Sequence, residues 1–150
     1  MQILTPLVQI LLAFGLAYFV NIKLAKQTKS IEIIIDMLNN YGNALKDINE
    51  LSIKYIKDKS ENDAKEILWK LKQASISHQQ FETLHQLFPN VEFVYNIEIM
   101  KNDLLDLKKS ITDEHFRSDG EYTARQKTLI LNCFQKINTN IYKEKQNLYK

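Results

Sequence analysis

The sequence predicts an all-α protein: an N-terminal single transmembrane helix continuing into an antiparallel, up-down four-helix bundle. Three observations predict it. An uncharged apolar stretch opens the chain, MQILTPLVQILLAFGLAYFVNI over residues 1–22. Behind it, apolar residues recur at spacings of three and four through four successive segments, the period of a helix face packed on other helices. Breakers are scarce: the glycines are Gly15, Gly42 and Gly120, and the prolines are Pro6 and Pro89. That leaves long uninterrupted segments and argues against a many-turned β fold. The domain division is therefore 1–22 as the span and 23–150 as the bundle.

The first element is read as the span, carried by Ile3, Leu7, Leu11, Phe14, Phe19 and Ile22. About 20 apolar residues match a hydrocarbon core of roughly 30 Å. Pro6 lies in the first turn, where its missing N–H costs little. A cleaved signal peptide would need a positive n-region, a shorter apolar run and a small-x-small site. No Lys or Arg precedes Lys23, and no clean site follows the run. Lys23, Lys26 and Lys29 flank the span on one side only, so the positive-inside rule puts the bundle in the cytoplasm.

The second element covers residues 30–59. Ile31, Ile34, Leu38, Tyr41, Leu45, Ile48, Ser52 and Tyr55 form its seam, widened by Ile33, Ile35, Ile53 and Ile56. No Gly or Pro separates it from the span, so the two can run as one rod. Gly42 inside it costs about 1 kcal/mol relative to Ala unless it marks a close helix approach. Ser60 then reads as an N-cap, with Glu61 and Asp63 suited to the positive end of a new helix.

That next helix carries Ala64, Ile67, Leu68, Leu71, Ala74, His78, Phe81, Leu84, His85 and Phe88, and stops at Pro89. Ser75 and Ser77 allow a break within it, and Trp69 falls off the stripe. The third helix carries Phe93, Ile97, Met100, Leu104, Leu107 and Ile111. A loop follows at 112–120, with Asp119 or Gly120 starting the last helix. Tyr122, Gln126, Ile130, Phe134, Ile137, Ile141 and Leu148 mark that helix, with Leu129 and Cys133 beside them.

Tethering at the N-terminus fixes the polarity of an up-down bundle. The turn at 57–63 and the loop at 112–120 meet at the membrane-distal tip. The Pro89 turn and the C-terminal Lys143, Lys145 and Lys150 fall at the other end, where the lysines would form a second contact with an anionic leaflet.

Several function classes are disfavoured. The net charge is only +2, and of the 20 basic residues only Arg117 and Arg125 are arginine, so nucleic acid is not an expected partner. Cys133 is the only cysteine, which excludes an internal disulfide and a multi-cysteine zinc site. It reads as a small core residue in a reducing compartment. No glycine-rich phosphate loop fits this glycine distribution.

Two clusters carry chemical potential. His78, Glu82 and His85 share one helix face, and Glu82 to His85 has the Glu-x-x-His form of carboxylate-bridged di-metal bundles. The second such motif those sites require is absent, so the expectation is two histidines at the bundle edge, with no metal and no cofactor. The loop residues Asp113, Glu114, His115, Arg117, Asp119 and Glu121 form the candidate interaction surface.

The functional expectation is a non-catalytic, single-pass protein of the cell inner (plasma) membrane. Its cytoplasmic bundle would act as a protein-interaction or assembly module. The expected partners are the lipid bilayer and another protein or a second copy, the latter pairing as a coiled coil along the 31–55 seam. The alternatives are a periplasm-facing adaptor or envelope protein, if the topology is reversed, and a metal-binding bundle enzyme. One span followed by a helical bundle is a layout common among small bacterial membrane proteins.

Overall fold

In the computed structural model the chain forms α1 (Leu4–Asp58), α2 (Glu61–Leu87), α3 (Ile97–Ile111) and α4 (Ala124–Leu148). The structure describes residues 4–87 and 97–149, with backbone alone for residues 4–11, His85 and Ile97. Among the described residues there is no strand. The expectations for Pro89, Phe88, Phe93 and the 88–96 connection lie outside the described residues, as do those for Ile3 and Lys150.

α1 packs on α2 and α4, and α3 packs on α4 and α2, which closes a four-helix bundle. The neighbours run antiparallel. Asp47 pairs with Lys70 and Lys54 with Asp63, so advancing along α1 means receding along α2. On the other flank Asn39 meets Lys145 and Gly42 faces Ile141.

The α1 seam is legible to the residue. Ile34, Leu38, Tyr41, Leu45, Ile48, Ser52 and Tyr55 are buried, and Ile31 is half-buried. On the other helices Ala64, Ile67, Leu71, Ala74, Phe81, Met100, Leu104, Leu107, Ile111, Ile130, Ile137, Ile141 and Leu148 complete the core. Ile33, Ile53, Leu68, Leu105 and Leu129 are exposed, because four helices cover only the central stripe of each. Trp69 is 58% exposed and shares the outer surface of α2 with Ile76.

Three local expectations are corrected. α2 does not break at Ser75, whose hydroxyl donates to the Leu71 carbonyl at 2.9 Å and leaves the helix continuous. Gly42 does not mark a close approach: a Cβ there would meet Ile141 Cδ1 at 4.0 Å, an ordinary contact. α4 starts neither at Asp119 nor at Gly120. Thr123 is its N-cap, closed by a capping box with Gln126. Tyr122 is therefore a buried loop residue and not a helical one.

α1 is one unbroken helix of 55 residues, roughly 80 Å at the standard rise. Only part of it belongs to the bundle. Residues 12–29 are exposed apart from the half-buried Gly15, and from Leu12 onward Ile34 is the first buried residue. Of the expected span residues, Phe14, Phe19 and Ile22 are exposed, while the side chains of Leu7 and Leu11 lie outside the description. Among the described residues no helix is long and apolar enough to cross a membrane. The span expected over 1–22 gains no support there, and its first half contributes no described side chain.

Candidate functional site at the bundle tip

The end of the bundle opposite the free half of α1 joins α1 to α2 through Lys59 and Ser60, and α3 to α4 through residues 112–123. Lys59 organises both connections. It follows the last turn of α1 in the left-handed region, φ 50°, with its N–H donating to the Tyr55 carbonyl at 2.8 Å. That conformation turns the chain into α2, where the Ser60 hydroxyl accepts from Asp63 N at 3.4 Å.

The Lys59 side chain reaches across to the other loop. Its ammonium donates to the carbonyls of His115 at 2.9 Å and Gly120 at 2.6 Å, with Ser118 at 3.5 Å. It also lies over the Tyr122 ring, 4.6 Å from the centroid, and 5.6 Å from that of Tyr55. Three carbonyls and two aromatic faces make a cation site that the chain's own lysine fills.

Each candidate loop residue then takes a definite place. Asp113 is structural: one oxygen accepts from His115 N at 2.9 Å, the other from Gln126 Nε2 at 2.6 Å. The His115 ring is half-buried against Tyr122, centroids 6.0 Å apart, with Glu114 3.6 Å from its Nε2. Arg117, at φ 56°, donates its backbone N–H to the Tyr55 hydroxyl at 2.7 Å. Its guanidinium makes a two-pronged pair with Glu61. Hydrogen bonding to that guanidinium holds the Glu61 carboxyl below its ordinary range and pushes Arg117 up. Glu114, Asp119 and Glu121 remain exposed. The loop is therefore a latched structure whose exposed charges are Glu114, Asp119, Glu121 and the Glu61-paired Arg117.

Tyr122 anchors the loop from below. Its hydroxyl donates to the Ile111 carbonyl at 2.6 Å, and burial, with Asp113 nearby, pushes the phenol above its ordinary value. Phe116 packs on Tyr55 with ring centroids 5.1 Å apart.

His78 does not lie at the bundle edge as expected. His78 is 3% exposed, inside the core, with Glu82 3.6 Å from its Nε2 and neither ring nitrogen hydrogen-bonded among the described residues. The His85 side chain is outside the description. Among the described residues no group of three His, Cys, Asp or Glu side chains gathers as a metal site. Cys133 is half-buried against the core's edge, beside Asp103, Asp106 and Lys136.

Two buried carboxylates escape a reading of the sequence. Asp103 is 2% exposed and accepts from Lys136 at 2.6 Å and Asn140 at 3.0 Å. Glu144 is buried as well. The signal is nonetheless present. Asp103 stands three after Met100 and four before Leu107, and Glu144 stands three after Ile141 and four before Leu148. Both are core registers of their helices.

Of the C-terminal lysines, Lys143 is exposed and Lys145 donates to Asn39 on α1 at 2.8 Å. No family model matches the chain, and no match to it is found among curated proteins or solved structures.

Proposed function

We propose that the chain is a non-catalytic, single-pass membrane protein whose bundle serves as a protein-interaction or assembly module at the cytoplasmic face of the inner membrane. One observation carries this reading. α1 leaves the bundle as a lone helix on which Leu12, Phe14, Leu16, Tyr18, Phe19, Val20 and Ile22 are all exposed. Apolar surface of that extent marks an interaction or membrane site, and it continues an uncharged run that begins before Leu12. A bilayer suits apolar side chains on every face of a helix.

Lys23, Lys26 and Lys29 follow directly, which supports the cytoplasmic placement. The tip loop then faces away from the bilayer with Glu114, Asp119 and Glu121 outward, a surface suited to a basic partner. Confinement to the membrane raises the effective concentration of such a partner there.

The test is fractionation and labelling of the full chain. The protein should stay with membranes after alkaline carbonate washing. A cysteine placed at the C-terminus in a Cys133→Ser background should resist an impermeant thiol reagent in intact cells. Release by carbonate would remove the anchor. Labelling from outside would reverse the topology and make the bundle a periplasmic adaptor. For the partner, Glu114→Lys, Asp119→Lys and Glu121→Lys together should abolish capture of a protein that the unmodified chain retains from membranes.

A further inference from the structure

The seam of α1 does not end where the bundle does. Its buried positions Ile34, Leu38, Tyr41 and Leu45 step by four, three and four. Continued towards the N-terminus in the same register, the seam passes Ile31, Gln27, Leu24, Val20, Ala17 and Ala13. Ile31 is its last residue packed against the core; from Lys29 back to Leu12 the residues are exposed apart from the half-buried Gly15. The seam expected to pair between chains, 31–55, is filled within the chain by α2 and α4, so it is closed to a second copy. Its continuation is open.

We infer that a second copy of this chain pairs with the free half of α1, parallel and in register, along Ala13, Ala17, Val20, Leu24 and Gln27. Three features of the helix point to a second copy. The seam carries no charge, whereas Lys26 and Lys29 fall on the opposite face, where like charges stay apart. Lys23 only flanks the seam, and in an in-register pair it meets Thr28 of the second copy. Residue size sorts the same way: the seam has Ala13, Ala17 and Val20, while Leu12, Tyr18, Phe19 and Ile22 point to the other side. Small residues let helix backbones approach closely inside a bilayer, and bulky ones are left to the lipid.

The third feature is the stretch from Lys23 to Lys29, which links the apolar run to the bundle within α1 with every residue exposed. A helical stretch with few buried apolar contacts opens locally more easily than a packed one. Thr28 and Ser30 turn their hydroxyls back on the carbonyls of Leu24 and Lys26, at 3.0 and 2.9 Å, which weakens the stretch further. Pairing through Leu24 and Gln27 supports it. The uncharged but polar Gln27 is the kind of seam residue that fixes register.

The parallel direction and the small-residue argument rest on the membrane-anchor reading; the register of the seam does not. The experiment uses the full chain in a Cys133→Ser background, in total cell lysate and in isolated membranes. Single cysteines replace Leu24, Gln27, Lys26 or Lys29 (Leu24→Cys, Gln27→Cys, Lys26→Cys, Lys29→Cys), and a mild oxidant is added. All four positions are exposed, so none disturbs the core. Leu24→Cys and Gln27→Cys should form disulfide-linked dimers several times faster than Lys26→Cys and Lys29→Cys. Equal rates at the four positions, or no dimer at Leu24 and Gln27, overturn the pairing and leave the face to lipid or another protein. Membrane-bound chains that fail to cross-link sink the pair alone. Soluble chains that cross-link at the seam sink the anchor alone.

Discussion

The Lys59 ammonium sits 4.6 Å above the Tyr122 ring while donating to the Gly120 carbonyl at 2.6 Å. One side chain from the α1–α2 turn thereby holds closed the loop between α3 and α4. Lys59→Met keeps the aliphatic stem and removes the charge. Hydrogen bonds from charged groups contribute about 1.5–3 kcal/mol, so Lys59→Met should destabilise the bundle by about 2 kcal/mol in urea unfolding. Amide exchange should rise over residues 113–120 first. Lys59→Gly separates the two roles of the residue, since glycine adopts the φ of 50° without strain. Its gain from strain relief offsets the lost latch, so Lys59→Gly should be more stable than Lys59→Met; if Lys59→Met unfolds like the unmodified chain, the ammonium contributes nothing and the latch is discarded.

Two buried tyrosines give an internal comparison. The Tyr122 hydroxyl donates to the Ile111 carbonyl, whereas the Tyr41 hydroxyl is buried with no hydrogen-bond partner among the described residues. Burial, with the Asp103 carboxylate nearby, pushes Tyr41 above its ordinary phenol value. Tyr122→Phe should lose about 1 kcal/mol and orphan a carbonyl, while Tyr41→Phe should be neutral or stabilising because it removes an unsatisfied polar atom. Thermal melts of the two variants decide it, and a larger loss at Tyr41 than at Tyr122 contradicts the assignment.

Helix seams are readable because burial repeats with the helix period: Ile34, Leu38, Tyr41, Leu45, Ile48, Ser52 and Tyr55 are all buried. What a sequence does not show is convergence. Arg117 and Glu61 are 56 residues apart, and only the bundle brings them together. Lys59 reads as part of a turn because a lysine's bonding to carbonyls of a distant loop leaves no local pattern. Thr123 is different: Thr-x-x-Gln is a local capping signal, and the apolar period through Tyr122 masks it. At His78 two signals conflict. Its position matches the core period, while a histidine's polarity argues for solvent, and the period prevails.

Gly42 lies mid-helix with room for a methyl group, since the nearest foreign atom to a Cβ there is Ile141 Cδ1 at 4.0 Å. Alanine gains helix propensity and restricts the unfolded chain, with no clash to offset either. Gly42→Ala should therefore stabilise the bundle by about 0.5–1 kcal/mol. A decrease in the urea midpoint would show that α1 and α4 approach more closely than the 4.0 Å contact implies.

His78 should make the bundle sensitive to acid. Burial lowers its pKa from the ordinary 6.5; Glu82 on the same helix opposes that shift, and Lys101 on α3 reinforces it. A histidine whose folded pKa is depressed resists a proton that the unfolded chain accepts. Its neutral form is therefore fully compatible with folding above pH 6.5, and stability falls as the pH drops below that value. The slope is bounded by one proton, about 1.4 kcal/mol per pH unit. Unfolding by urea at pH 5.5 and 7.5 reads the difference while ordinary carboxylates stay largely ionised. His78→Leu fills a similar volume with nothing to protonate, and the gap between the two pH values should shrink. An unchanged gap would assign the acid response to other groups and leave His78 as a silent core residue.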